Sequence, residues 1–240
     1  ATGGISHNES VREAIAYAEQ NGTVIVGAAG DENAYHHNFP AVENRILYVH
    51  SVRADNQNEK NGPARSFLSF FNCNNFGPRV DIVAPSTACA TGATAKIAGA
   101  AGLVISAGLD FGIDLTAAQV RSILRSTADD VYLSDADQSI VNTYPSTFGW
   151  DAFYGYGRVN VGTAVDRIRF LEPGPSVSVT GPKWFSFMET TLEVSGDIDA
   201  SSWTASWGLG LEPEDWTEFA SGDGSVSGAL GLLDLSDVPL

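Results

Sequence analysis

Positive charge is scarce in this chain. Its 240 residues carry 13 Lys and Arg against 29 Asp and Glu, a formal net charge of −16 at pH 7. Nucleic acids and anionic membranes would be repelled by such a surface, so neither is expected as a partner. From Leu171 onward 12 acidic residues face one base, Lys183, which places −11 of the charge there. That stretch reads as a solvated acidic surface. Long apolar runs are also missing: none reads as long enough to span a bilayer, and no signal peptide is visible. Cysteine is limited to Cys73 and Cys89, whose spacing fits neither a zinc site nor a redox Cys-x-x-Cys. The pair is either a disulfide tying the loops on both sides of Val80-Asp-Ile-Val-Ala-Pro85 or two buried free thiols. A bridge would imply an oxidising, extracytoplasmic setting.

What is present is an alternation of helix and strand patterns. Ser10-Val-Arg-Glu13 has the form of a capping box, followed by Val11, Ala14, Ile15 and Ala18 at helical spacing and by Asn21-Gly22 as a stop. Thr23 to Ala28 and Ile46 to Val52 are continuous apolar runs, the pattern of strands buried on both faces. Thr116 to Gln119 is a second capping box, with Val120, Ile123, Leu124 and Thr127 facing inward. Asn160 caps a last helix that buries Ala164, Val165 and Ile168. This order predicts an α/β fold with a mostly parallel sheet flanked by helices over residues 1–170.

Leu171-Glu-Pro-Gly-Pro175 marks a boundary. Beyond it, Val177 to Val179, Leu192 to Val194 and Ser202 to Trp207 read as short strands, the last with Trp203, Ala205 and Trp207 on one face. Residues 171–240 are therefore expected to form an acidic, β-rich, sandwich-like module that needs a further strand after Pro239.

The chemistry centres on Cys89 to Ser106, a loop feeding a helix of mostly small residues that is expected to be central and buried. The N-terminal end of a buried helix after a strand stabilises anions and suits a nucleophile. Ile97-Ala-Gly-Ala-Ala101 resembles the scaffold half of the nucleophile motif of subtilisin-like serine proteases. Thr91 then stands in the serine position, Cys89 in the glycine position and Ala95 in the proline position. Other stretches are similar to the same family in the same order: Ala28-Ala-Gly-Asp31 with Phe39-Pro-Ala41, Arg65 to Phe70, Asp81 to Pro85, Leu115 to Ala128, and Tyr154 to Asn160.

The resemblance implies peptide hydrolysis by Asp, His and Ser, with an asparagine stabilising the oxyanion. It puts Asp31 in that asparagine position and substrate-side backbone at Gly3, Gly4, Ala28, Ala29 and Gly30. In the family the catalytic Asp and His precede the segment with which this sequence opens. No cofactor is implied, and His36 and His37 read as surface residues of a polar loop rather than metal ligands. The expected partner is a polypeptide substrate or protein ligand, and the expected location secreted or cell-surface. Threonine in the serine position is crowded by its methyl group, and an ionised Asp31 would repel an oxyanion. Only Ser86 to Ala90 separate Pro85 from Thr91, which shortens one edge of the cleft. Three readings follow: part of a serine endopeptidase, part of a pseudoprotease kept for binding, or a carrier for a C-terminal adhesion or targeting module.

Overall fold

A three-stranded parallel sheet in the order β1-β2-β3 forms the centre of a computed structural model that describes residues 4, 7–52, 73–132, 145–170, 174–184, 186–187, 189–211, 213–236 and 238. Its strands are β1 (Val26–Ala28), β2 (Leu47–Val52) and β3 (Ile82–Pro85). Every residue of β2 is buried, as a central strand covered on both faces must be. Four helices accompany the sheet: α1 (Glu9–Gln20), α2 (Cys89–Asp110), α3 (Ala117–Ser126) and α4 (Val161–Phe170). Leu47, Val49, Ile82 and Ala84 pack against Ala93, Ile97, Ala101 and Val104 of α2, and against Val120 and Leu124 of α3. Tyr48 and Val80 join Ala29, Ala41, Val42 and Ala90 in a second cluster.

The C-terminal strands are antiparallel. β4 (Ser176–Gly181), β5 (Thr191–Asp199) and β8 (Val226–Asp234) form one sheet in the order β4-β5-β8. β6 (Ser202–Trp207) and β7 (Thr217–Asp223) pair as a hairpin. β4 alternates: Ser176 and Ser178 are buried, while Val177 and Val179 are exposed. The buried serines face the helices, where Arg121 donates to Ser178 Oγ at 2.7 Å and Ser122 Oγ donates to the Pro175 carbonyl at 2.6 Å.

Several sequence expectations need correction. α1 begins at Glu9 and is capped by Asn8, whose side chain accepts from the Ser10 amide at 2.9 Å, so Ser10 lies inside the helix. Asparagine and serine are comparable caps, and here the earlier one is used. β1 is shorter than the apolar run Thr23 to Ala28 and half-buried, because among the described residues β2 is the one strand paired with it. α2 is buried on one side only. Ala95, Ala98, Gly99, Gly102 and Leu103 on its other side are exposed, and a Cβ added at Gly99 or Gly102 would touch nothing. At 22 residues α2 is also long and apolar enough to cross a bilayer, contrary to the expectation that no run would be; its contacts with the sheet make it a core helix. The box at Thr116 forms as expected, with Gln119 N donating to Thr116 Oγ1 at 3.2 Å and Thr116 N donating to Gln119 Oε1 at 2.9 Å. Arg65 to Phe70, most of the 171–175 boundary, Gly3 and Pro239 lie outside the described residues.

Asp81 ties the sheet to its surroundings. Its carboxylate accepts from the Tyr48 amide at 2.7 Å and pairs with Arg79 at 2.7 Å and Arg125 at 2.8 Å. Arg79 in turn donates to the carbonyls of Val42, Glu43 and Ile46. Burial opposes ionisation of Asp81, but the two guanidiniums and the hydrogen bonds outweigh it and hold the carboxyl below its usual range. Asp81→Asn leaves both arginines facing a neutral group and is expected to cost about 3–5 kcal/mol in urea unfolding. Because the folded-state value is depressed, the Asp81 contribution is fully present above about pH 4. It is lost as pH falls through the lower folded value. Urea midpoints measured across that acid range should fall more steeply for the wild type than for Asp81→Asn.

Candidate functional site

The β3–α2 junction carries the candidate nucleophile. β3 ends at Pro85, and Ser86 Oγ accepts from the Ala88 amide at 3.0 Å, turning the chain into α2. The N-cap, Ala88, offers no side-chain acceptor. Cys89 holds a left-handed backbone, φ 48°, and is bridged to Cys73 with Cα atoms 5.3 Å apart. Thr91 follows in the first turn and is exposed. Among the described residues no histidine hydrogen-bonds its hydroxyl.

Thr91 opens onto a groove of about 490 Å³ between α2 and β1, lined by Val26, Ala28, Pro40, Ala41, Thr94 and Ala98 among others. The structure thus brings two expected site residues, Thr91 and Ala28, to one groove. Ala29, Gly30, Asp31 and Gly4 are not part of its lining. Ala29 is fully buried, and its carbonyl accepts from Tyr48 Oη at 2.9 Å and Asn75 Nδ2 at 3.1 Å. Gly4 bridges to Phe39 through two backbone hydrogen bonds of 3.0 and 2.7 Å. Gly30, at φ 102°, packs so closely on Asn38, Asn75 and Glu32 that a Cβ there would collide with all three. Asp31 is exposed, and its amide donates to Glu32 Oε2 at 3.1 Å.

Sequence reasoning missed the groups that hold this loop. Glu32 accepts from Asn75 and Asn38. Burial works against its charge, yet these hydrogen bonds prevail and keep its carboxyl below the usual range. His37 sits among Tyr35, Tyr48 and Trp184, with ring centroids 5.4, 6.1 and 5.0 Å away. Neither of its ring nitrogens has a hydrogen-bond partner. Burial, followed by the nearby charges of His36 and Arg79, lowers its pKa to about 4, so the ring is neutral at physiological pH. No local pattern marks Asn75 or Trp184 as site residues; the signal available was the polar loop composition of Asp31 to Asn38. Among the described residues no three His, Cys, Asp or Glu side chains cluster as metal ligands.

Comparison with known proteins follows the same residues. A model of the subtilase family, described as Peptidase_S8, matches residues 3–157. Thermitase from Thermoactinomyces vulgaris is 27% identical over 177 residues, covering 68% of this chain and 51% of Thermitase. The chain therefore spans about half the length of that curated relative. Among solved structures, Sphericase is 19% identical with a TM-score of 0.53, covering 67% of this chain and 55% of its own. The S41 Psychrophilic Protease is 17% identical with a TM-score of 0.52 over the same shares, 67% and 55%. The Patellamide maturation protease PatA is 18% identical with a TM-score of 0.51, over 71% and 61%. At these identities the structural likeness is one of fold.

The disulfide anchors the N-terminal turn of α2 beside Thr91. With a sequence separation of 16, the chain-entropy model gives about 3 kcal/mol of stabilisation. Cys73→Ser with Cys89→Ser is expected to lower unfolding stability by about that amount. Thiol labelling of protein purified without reductant should find no free thiol in the parent chain, and two after reduction under denaturing conditions.

Proposed function

Because the chain belongs to the subtilase family, we propose that it is a polypeptide-binding portion of a subtilisin-like peptidase fold that does not hydrolyse peptides by itself. In this reading residues 1–170 are the C-terminal portion of the peptidase unit, and residues 171–240 form an acidic β-rich module. The observation that carries it is Thr91, exposed in the first turn of α2 and with no hydrogen bond from its hydroxyl to any histidine. A threonine hydroxyl needs a base to become a nucleophile near neutral pH. The dipole of α2 contributes at most about 2 kcal/mol at its N-terminal end, against the roughly 8 kcal/mol or more that enzymatic acceleration requires. Asp31 adds an exposed carboxyl where the family places an amide. The ligand class is polypeptide, since the resemblance and the apolar groove beside Thr91 both suit an extended chain. The Cys73–Cys89 bridge favours an oxidising, extracytoplasmic location.

A second reading rests on a different observation. The groove edge formed by β1 and the exposed apolar side of α2 is bare among the described residues, and Thermitase is about twice as long as the matched segment. In that reading the unit takes part in serine-type peptide hydrolysis when a longer polypeptide completes it.

The purified chain is expected neither to turn over casein nor to be labelled at Thr91 by a fluorophosphonate probe. Thr91→Ser combined with Asp31→Asn should leave both results unchanged, because neither substitution supplies a base. Casein turnover by the purified chain that disappears in Thr91→Ala would overturn the proposal.

A further inference from the structure

Trp184 follows β4 in sequence, but its contacts lie with the parallel-sheet unit. Its indole meets the His37 ring edge-on, with centroids 5.0 Å apart and planes at 62°. Its Nε1 donates to Asn44 Oδ1 at 3.0 Å, and its carbonyl accepts from Arg12 Nη2 at 2.6 Å. The ring packs against the cluster of Ala29, Ala41, Val42, Tyr48, Val80 and Ala90. Two of these residues adjoin the candidate chemical positions: Ala90 precedes Thr91, and Ala29 lies two residues before Asp31.

The contacts form a relay. Trp184 touches His37; His37 touches Tyr35 and Tyr48; Tyr48 Oη donates to the Ala29 carbonyl at the root of the Asp31 loop. His37 is held by packing rather than by hydrogen bonds: both its nitrogens lack a partner, and its ring lies against Gly77 as well as against the neighbouring rings. Edge-to-face aromatic pairs stabilise a geometry beyond what their buried area supplies. Removing the indole would open His37 to water and release the segment that carries it. The Glu32, Asn38 and Asn75 hydrogen bonds secure the other side of the same loop.

We propose that Trp184 is a positioning residue for the loop 31–38, so that the β-rich C-terminal segment forms part of the framework of the candidate site. The proposal goes beyond peptide binding or hydrolysis and requires no turnover, so its test reads the loop directly.

The test compares the full chain with Trp184→Ala, Trp184→Phe and Trp184→Leu by amide hydrogen exchange and by NMR titration of the His37 ring. In Trp184→Ala, amides of residues 29–38 are expected to lose about tenfold in protection while α3 keeps its own. The His37 pKa should rise from about 4 toward its ordinary value of about 6.5, because the burial that depresses it is relieved. Trp184→Phe keeps a ring against His37 and should restore most of the protection and the low pKa. Lys183→Ala removes only an exposed pair with Glu9 and should leave both readouts unchanged. If Trp184→Ala does not fold, Trp184→Leu serves in its place with the same expected direction. Unchanged His37 titration and loop exchange in the Ala or Leu variant would overturn the proposal. So would a loss of protection spread equally over α3, or a Phe variant no better than Ala.

Discussion

Three cationic or backbone donors from separate parts of the chain meet on the carboxylate of Asp81. The Tyr48 amide on β2, Arg79 before β3 and Arg125 on α3 all converge there. A buried charge is tolerable only when it is fully paired, so this grouping sets where α3 lies relative to the sheet. Arg79 extends the constraint by donating to three carbonyls around the turn that precedes β2. With β2 and α3 held in this way, α2 fits between them on small side chains. Its N-terminal turn, and with it Thr91, comes to rest beside β1.

The scaffold and the chemistry of this chain diverge at that turn. The small residues of α2, the strand before it and the bridge at Cys89 hold the turn that carries Thr91. The side chain presented there is a threonine that no histidine hydrogen-bonds, next to a groove whose lining is mostly apolar. The loop carrying Asp31 is well built but differently directed. Glu32, Asn38 and Asn75 bind one another and the backbone, while Asp31 itself points to solvent. The order in this loop therefore belongs to its floor rather than to Asp31.

The C-terminal strands are docked through polar groups that the parallel-sheet unit supplies. Glu19 lies between Arg45 and Arg121; Arg121 also reaches Ser178, and Arg45 reaches Asp197 at 3.3 Å. Arg121 and Glu19 are almost completely buried in this junction while Arg45 and Asp197 stay partly exposed, so the Arg121–Glu19 pair has been withdrawn from water and its geometry is demanding. Trp184 adds an apolar contact on the neighbouring side of the same face. The alternating serines and valines of β4 acquire their meaning here: the serines are buried and Ser178 meets Arg121 of α3, while the valines turn outward.

The sequence by itself determined the elements whose signals are local. The box at Thr116 and Gln119, the cap at Asn160 and the strand Ser202 to Trp207 need only neighbours a few residues away, and all appear as read. The family resemblance was equally legible, because it rests on short motifs in order along the chain. The start of α1 was not, since Asn8 and Ser10 are near-equal caps and local preference does not separate them. The exposed side of α2 and the edge position of β1 depend on what packs against them, and an apolar run does not record its own coverage. Asp81 was visible as part of Asp-Ile-Val-Ala-Pro, but its arginine partners, like the contacts of Trp184 and Asn75, join residues far apart in sequence. Only tertiary structure decided those, because charges and rings pair by distance in space, which folding sets after the local patterns have formed.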